Sequence, residues 1–123
     1  MTQTGRNNVE LPDTNLSTFL LLLIGRKKRL RVVGRSMLPL LKPGEEILFD
    51  SYIYRKSSPQ INDIIVAIHP NRPNMTIVKR IDSIERDGKY FLLGDNPRES
   101  TDSRHWGAIE KSNILAKVTN RFT

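Results

Sequence analysis

Apolar and polar positions change their rhythm several times along the chain. Residues 1–14 are polar and aperiodic, which predicts a mobile N-terminal arm. From Leu16 the residues become almost uniformly apolar through "FLLLLIG" (19–25), and Asn15 or Ser17 can cap a short helix over about 15–25. Beyond that the pattern alternates or runs β-branched, as strands do. "RLRVVGR" (29–35) predicts a strand ending at the glycine, "EEILFDSYIY" (45–54) a second and "DIIVAIHP" (63–70) a third that stops at Pro70. "MTIVKRIDSI" (75–84) and "KYFLLGD" (89–95), joined at Asp87–Gly88, predict a hairpin. "NILAKVTNRF" (113–122) predicts the last strand. "RKSSPQIND" (55–63) and "HPNRPN" (69–74) read as loops. The expectation is a mainly β chain with one short N-terminal helix and a single folded unit over 15–123, its β core over about 30–123.

Composition narrows the chemistry. The 123 residues allow one modest core, and the net charge of +7 suits an anionic partner or simply a solvated surface. The absence of cysteine excludes disulfides, thiolate catalysis and cysteine-based metal sites. His69 and His105 are too far apart in sequence for a paired-histidine metal motif, so no metal or cofactor is expected. The apolar run at 16–25 is too short to span a bilayer, and lacks the basic flank and cleavage pattern of a secretory signal. A cytoplasmic location is expected. "RKKRLR" (26–31) reads as a solvated flank, with peripheral membrane contact through 16–31 as its alternative.

Two residues stand out for reactivity. Ser36 sits in "VVGRSMLPLL" (32–41), a small hydroxyl in apolar surroundings between Gly34 and Pro39. Lys79 lies between Ile77 and Ile81 on one face of a predicted strand, while Arg80 faces the other way with Asp82 two positions on. An exposed lysine is cationic near neutrality and cannot accept a proton. Burial disfavours the charged amine, and a neutral lysine can act as general base for a serine hydroxyl. Read singly, a lysine stem along an apolar face and a turn serine explain both residues. A third segment, "LLGDNPRESTDSRHWG" (92–107), packs turn formers, hydroxyls and the Asp102/Arg104 pair behind an apolar strand.

The order GRSMLPLL, IVKRI, GDNPRESTDSRHWG resembles the signal peptidase I family of serine peptidases, over about residues 30–120. The resemblance implies an all-β catalytic core, shared with self-cleaving repressors, and a Ser/Lys dyad. It implies Ser36 as nucleophile and Lys79 as base, with Ser100 orienting the lysine amine. Met37 and Pro39 would shape the nucleophile turn, Gly94 and Asp95 would fix the loop that brings Ser100 close, and Asp102–Arg104 would be the ion pair behind the site. At Gly34 many members carry Ser or Thr, whose hydroxyl helps bind the oxyanion, leaving the Ser36 N–H as the donor in view. The spanning helices and large inserted β domain of bigger members are not expected in this chain. The short form is most similar to the nickel-type superoxide dismutase maturation proteases, which implies cleavage of a leader peptide, bound as an extended strand, from a precursor protein.

Two other readings compete. A self-cleaving repressor-type domain uses the same dyad but needs a DNA-binding domain for which residues 1–30 are too short. A non-enzymatic basic β domain with exposed Trp106, Tyr52 and Tyr54 would bind single-stranded nucleic acid by stacking, and leaves Ser36 and Lys79 unexplained. No nucleic-acid partner is therefore expected.

Overall fold

In the computed structural model, residues 11–17, 20, 25 and 27–122 are described. Six strands form one antiparallel sheet: β1 (Lys27–Arg31), β2 (Glu46–Asp50), β3 (Ile64–His69), β4 (Arg72–Ile84), β5 (Tyr90–Leu93) and β6 (Ile114–Arg121). They lie side by side in the order β1-β2-β6-β3-β4-β5. The mainly β expectation holds.

The alternation in β3 explains why this sheet is buried on both sides. Ile64 and Val66 join a cluster with Val32, Met37, Leu41, Ile47 and Val118. Ile65 and Ala67 join another with Ile77, Ile81, Tyr90, Leu92 and Ile109. A strand with both faces covered reads as a continuous apolar run, as "IIVAI" does. Lys79 is paired across the ladder with Ile65, so period-two geometry places it on the second face, among isoleucines.

Several boundaries differ from expectation. "SYIY" does not continue β2: the Asp50 carboxylate accepts the Tyr52 N–H at 2.8 Å, and Ile53–Lys56 closes into a helical turn, α1. The first strand runs Lys27–Arg31 and stops short of Gly34. "HPNRPN" is only partly loop, since β4 begins at Arg72; Pro73, lacking an N–H, sits in the part of β4 that has no strand on its β5 side among the described residues. The β4–β5 hairpin turns at Asp87–Gly88, with Gly88 at φ +87°. Residues 11–14 of the expected arm pair with the end of β6: Asp13 bridges Arg121, and Thr14 Oγ1 donates to the Arg121 carbonyl at 2.7 Å. Residues 1–10, and most of the helix expected over 15–25, lie outside the described residues. Among the described residues no helix is long and apolar enough to cross a membrane.

Candidate active site

The turn carrying Ser36 is anchored at both ends. The Val32 N–H donates to the Glu45 carbonyl, and Gly44 donates back to Val32, each at 2.8 Å. Gly34 adopts φ +83°, a left-handed conformation that glycine tolerates and other residues resist. Met37 is buried in the first apolar cluster, and its carbonyl accepts the Leu41 N–H at 2.9 Å. The Leu38–Pro39 peptide is cis, and Pro39 itself is exposed. Buried Met37 and exposed Arg35 leave Ser36 between them, half-buried at the wall of a cleft of about 490 Å³.

The same cleft is lined by Lys79, whose side chain comes up from β4 with only 5% of its surface exposed. Its amine donates to Ser100 Oγ at 3.1 Å, and the Ser100 hydroxyl donates to Asp102 Oδ2 at 2.6 Å. Burial pushes the Lys79 amine below the ordinary lysine range. The Asp102 carboxylate pulls it partly back up, and the Arg104 guanidinium pushes it down again. Among the described residues the Ser36 hydroxyl makes no hydrogen bond, to Lys79 or otherwise.

Asp102 is the anchor behind this chain. It is fully buried and accepts the Gly94 N–H at 3.0 Å and the Arg104 Nε–H at 2.9 Å. It also caps the helical turn α2 (Ser103–Trp106), accepting the Arg104 N–H, while its own N–H donates to His105 Nδ1 at 3.4 Å. Burial alone would raise the Asp102 carboxyl. The hydrogen bonds from Arg104, Ser100 and the Gly94 and Arg104 backbone outweigh it and hold the carboxyl at about 2. Ser103 secures the turn to the sheet by accepting the Leu92 N–H at 2.8 Å.

Gly94 is required for a steric reason. A Cβ there would lie 2.2 Å from Ser100 Oγ and 2.6 Å from the Ser36 carbonyl oxygen. One bare Cα therefore lets the Ser36 turn and the Ser100 loop close on each other. Asp95 points away from the cleft: its carboxylate accepts two hydrogen bonds from Arg80, Nε at 2.9 Å and Nη2 at 2.8 Å, and Arg80 is 1% exposed. Spacing sets Arg80 near Asp82, but in the fold its guanidinium pairs with Asp95, across the end of the hairpin.

Asn96 and Glu99 carry no signal in the sequence beyond turn chemistry, yet both contact the Ser36 turn. The Asn96 N–H donates to the Ser36 carbonyl at 2.8 Å, and Asn96 Nδ2 donates to the Arg35 carbonyl at 3.1 Å. Arg35 Nε donates to both Glu99 oxygens, at 3.1 and 2.9 Å. Their sequence separation from Arg35 hides them from any local pattern.

Of the three aromatic residues expected to be exposed, Trp106 and Tyr54 pack against the second apolar cluster. Trp106 meets His69 with ring centroids 5.2 Å apart, and the Tyr54 hydroxyl donates to Asp63 at 2.6 Å. Only Tyr52 is exposed, so the three form no stacking platform. Among the described residues no group of three or more His, Asp or Glu side chains is arranged to hold a metal.

Comparison with known proteins bears on the family. The family described as "Signal peptidase, peptidase S26" matches residues 15–84 and 82–123. The chain is 30% identical over 107 residues to the mitochondrial ATP-independent inner membrane protease subunit 1b of Arabidopsis thaliana, covering 69% of this chain and 63% of that protein. It is 33% identical over 107 residues to the mitochondrial inner membrane protease subunit 1 of Schizosaccharomyces pombe, covering 72% and 68%. Against signal peptidase I of Buchnera aphidicola it is 30% identical over 91 residues, covering 61% of this chain but 27% of that protein. The alignments thus span less than two thirds of the Arabidopsis and Buchnera proteins. With the family match running from residue 15 to the C-terminus, the chain belongs to the signal peptidase family, peptidase S26.

Proposed function

We propose that the chain is a serine endopeptidase that removes a short N-terminal leader from a precursor protein, nickel superoxide dismutase being the substrate that the resemblance of its motifs implies. The observation that carries this reading is the Lys79 amine: buried, its pKa lowered by desolvation, and hydrogen-bonded to Ser100 in the cleft that Ser36 shares. A lysine kept only as a packing stem would put its ammonium in water.

Neutral Lys79 takes the proton from the Ser36 hydroxyl as Oγ attacks the scissile carbonyl. The Ser36 N–H donates to the oxyanion. The protonated amine then gives its proton to the leaving nitrogen as the peptide C–N bond breaks, and water, deprotonated in turn by Lys79, hydrolyses the acyl-enzyme. Ser100 holds the amine through both transfers. A hydrogen bond from Ser36 to Lys79 is expected to tighten when substrate fills the cleft, as catalytic contacts commonly do.

The sheet offers a route for substrate binding. β5 pairs with β4 only from Arg80 to Ile84, so on that side the edge from Arg72 to Lys79 has no strand among the described residues. An extended leader can add to that edge, with backbone hydrogen bonds supplying affinity. This reading expects the reaction in the cytoplasm, with membrane contact at most peripheral, through residues 16–31.

The test is co-expression with the nickel superoxide dismutase precursor, followed by intact mass. Loss of the leader with the native chain, and its retention with Ser36→Ala and with Lys79→Ala, is expected. Full processing by either variant would refute the dyad. An unprocessed precursor alongside cleavage of other leader peptides would refute only the substrate.

A further inference from the structure

The oxyanion donor in the proposed reaction is a backbone N–H, and a backbone N–H works only if its peptide plane is held. The plane in question joins Arg35 to Ser36. That peptide is trans, so its C=O and N–H point in opposite directions. Whatever grips the Arg35 carbonyl therefore aims the Ser36 N–H. Two donors grip it: Asn96 Nδ2 at 3.1 Å from the 94–99 loop, and the Leu38 N–H at 3.3 Å from within the turn itself. The backbone N–H of the same residue holds the next carbonyl, that of Ser36, at 2.8 Å. One residue thus fixes the peptide planes on both sides of the nucleophile's Cα.

Asn96 is itself held. Its Nδ2 also donates to Glu99 Oε2 at 3.1 Å, and Glu99 accepts from Arg35 Nε. The amide, carboxylate and guanidinium close a ring that includes the Arg35 carbonyl. A single exposed ion pair contributes little, but a network sharing one carboxylate restricts every member. Gly34, next in the chain, has no side chain to brace the turn from the other side, and its neighbour Val33 is exposed. Apart from the turn's own Leu38 N–H, the contacts that orient this flank come from the 94–99 loop.

We propose that Asn96, braced by Glu99 and Arg35, is a positioning residue that aims the Ser36 N–H at the oxyanion. The assignment rests on the peptidase reading above and adds a role for a residue outside the dyad. Removing an oxyanion donor outright costs about 10²–10³ in rate. A donor that is present but free to swing retains part of that, so Asn96→Ala should lower kcat about tenfold. Substrate binding through the β4 edge does not involve this peptide, so KM should stay within about twofold.

The experiment compares wild type, Asn96→Ala and Glu99→Gln on a quenched fluorescent peptide spanning the precursor's leader junction, and with a peptide boronic acid of the same sequence. In the boronate reaction an Oγ–B bond forms while Lys79 takes the hydroxyl proton, leaving a tetrahedral boron that carries the negative charge. Its affinity should fall by the same factor as kcat in Asn96→Ala, and by a smaller factor in Glu99→Gln, which keeps the amide but loosens its brace. Thermal melting reports folding of each variant. Unchanged kcat and boronate affinity in a folded Asn96→Ala, or a loss residing in KM alone, would overturn the assignment; should Asn96→Ala not fold, wild-type values in Glu99→Gln would do so. Wild type that neither cleaves the peptide nor forms the adduct would remove the Ser36/Lys79 reading itself.

Discussion

Gly94→Ala is the sharpest probe of how the site is assembled. The added methyl carbon would sit 2.2 Å from Ser100 Oγ, 2.6 Å from Ser100 Cβ and 2.6 Å from the Ser36 carbonyl oxygen, where ordinary contacts begin near 3.4 Å. Relief requires about 1 Å of separation, and none of the three atoms is the free end of a long side chain. Ser100 is held by Asp102 and Lys79, and the Ser36 carbonyl by Asn96. The methyl must therefore push the nucleophile turn and the lysine's partner apart. Overpacking of a tight site costs about 1–3 kcal/mol. At roughly 3–5 °C per kcal/mol for a chain of this size, the melting point should fall by about 3–15 °C. A displacement near 1 Å at reacting groups costs about 10²-fold in rate, well beyond the stability loss at a temperature where the variant is folded. Calorimetry and kcat on the leader-junction peptide check both parts. A variant that melts like wild type and retains more than half its kcat would show that Ser36 and Ser100 do not meet at this glycine.

Other substitutions test the electrostatics. Lys79 has its pKa lowered in the folded state, so between that value and about 10.4 the unfolded chain binds more protons and stability rises with pH. Lys79→Met should thus abolish activity yet stabilise the fold by about 1–3 kcal/mol at pH 7, the scale of an imperfectly compensated buried polar group; the gain should shrink as pH approaches 10.5, and urea titrations showing a loss at pH 7 would refute it. The Asp102 carboxylate favours protonated Lys79, so Asp102→Asn should move the rising limb of the pH–rate profile to lower pH, and a limb that stays or moves up would contradict the assigned coupling. The paired Asp102 contributes stability that is present above about pH 4 and lost as pH falls toward 2. This amounts to about 2 kcal/mol, read as the wild-type excess over Asp102→Asn in acid titrations. Arg80→Ala should cost about 3–5 kcal/mol because it strands a nearly buried Asp95, whereas Arg80→Met with Asp95→Leu should restore most of it in denaturant melts.

The segments that build the cleft could be read from sequence because each carries a local signature. The strand parity of "TIVKRIDSI" put Lys79 among isoleucines, and the glycine and proline around Ser36 marked a turn. What local patterns could not supply were contacts between distant loops. Asn96 reaches Arg35 across more than half the fold's length, and Arg80 passes over its near neighbour Asp82 for Asp95 because the hairpin brings that carboxylate to it. The steric reason for Gly94 is equally non-local, since it depends on Ser36 and Ser100 arriving from separate directions. The difference at "SYIY" has a local cause instead: its alternation mimics a strand, but the Asp50 carboxylate accepts the Tyr52 N–H, turning the chain just ahead of the helical turn Ile53–Lys56.

The outermost strand β1 has a consequence for the behaviour of the chain in solution. Lys27, Lys28, Arg29 and Arg31 crowd its five positions, and one long side of it meets no neighbour among the described residues. An unpaired strand invites a second copy to zip onto it, and a picket of like charges is one way to deny that docking. Arg29 and Arg31 share the single Glu46 carboxylate on β2, so a net positive charge remains along the strand; it is expected to oppose the fusion of two sheets, and dissolved ions to blunt it. Light scattering of concentrated samples should report more self-association as sodium chloride is raised, and earlier still when Lys28 is replaced by threonine.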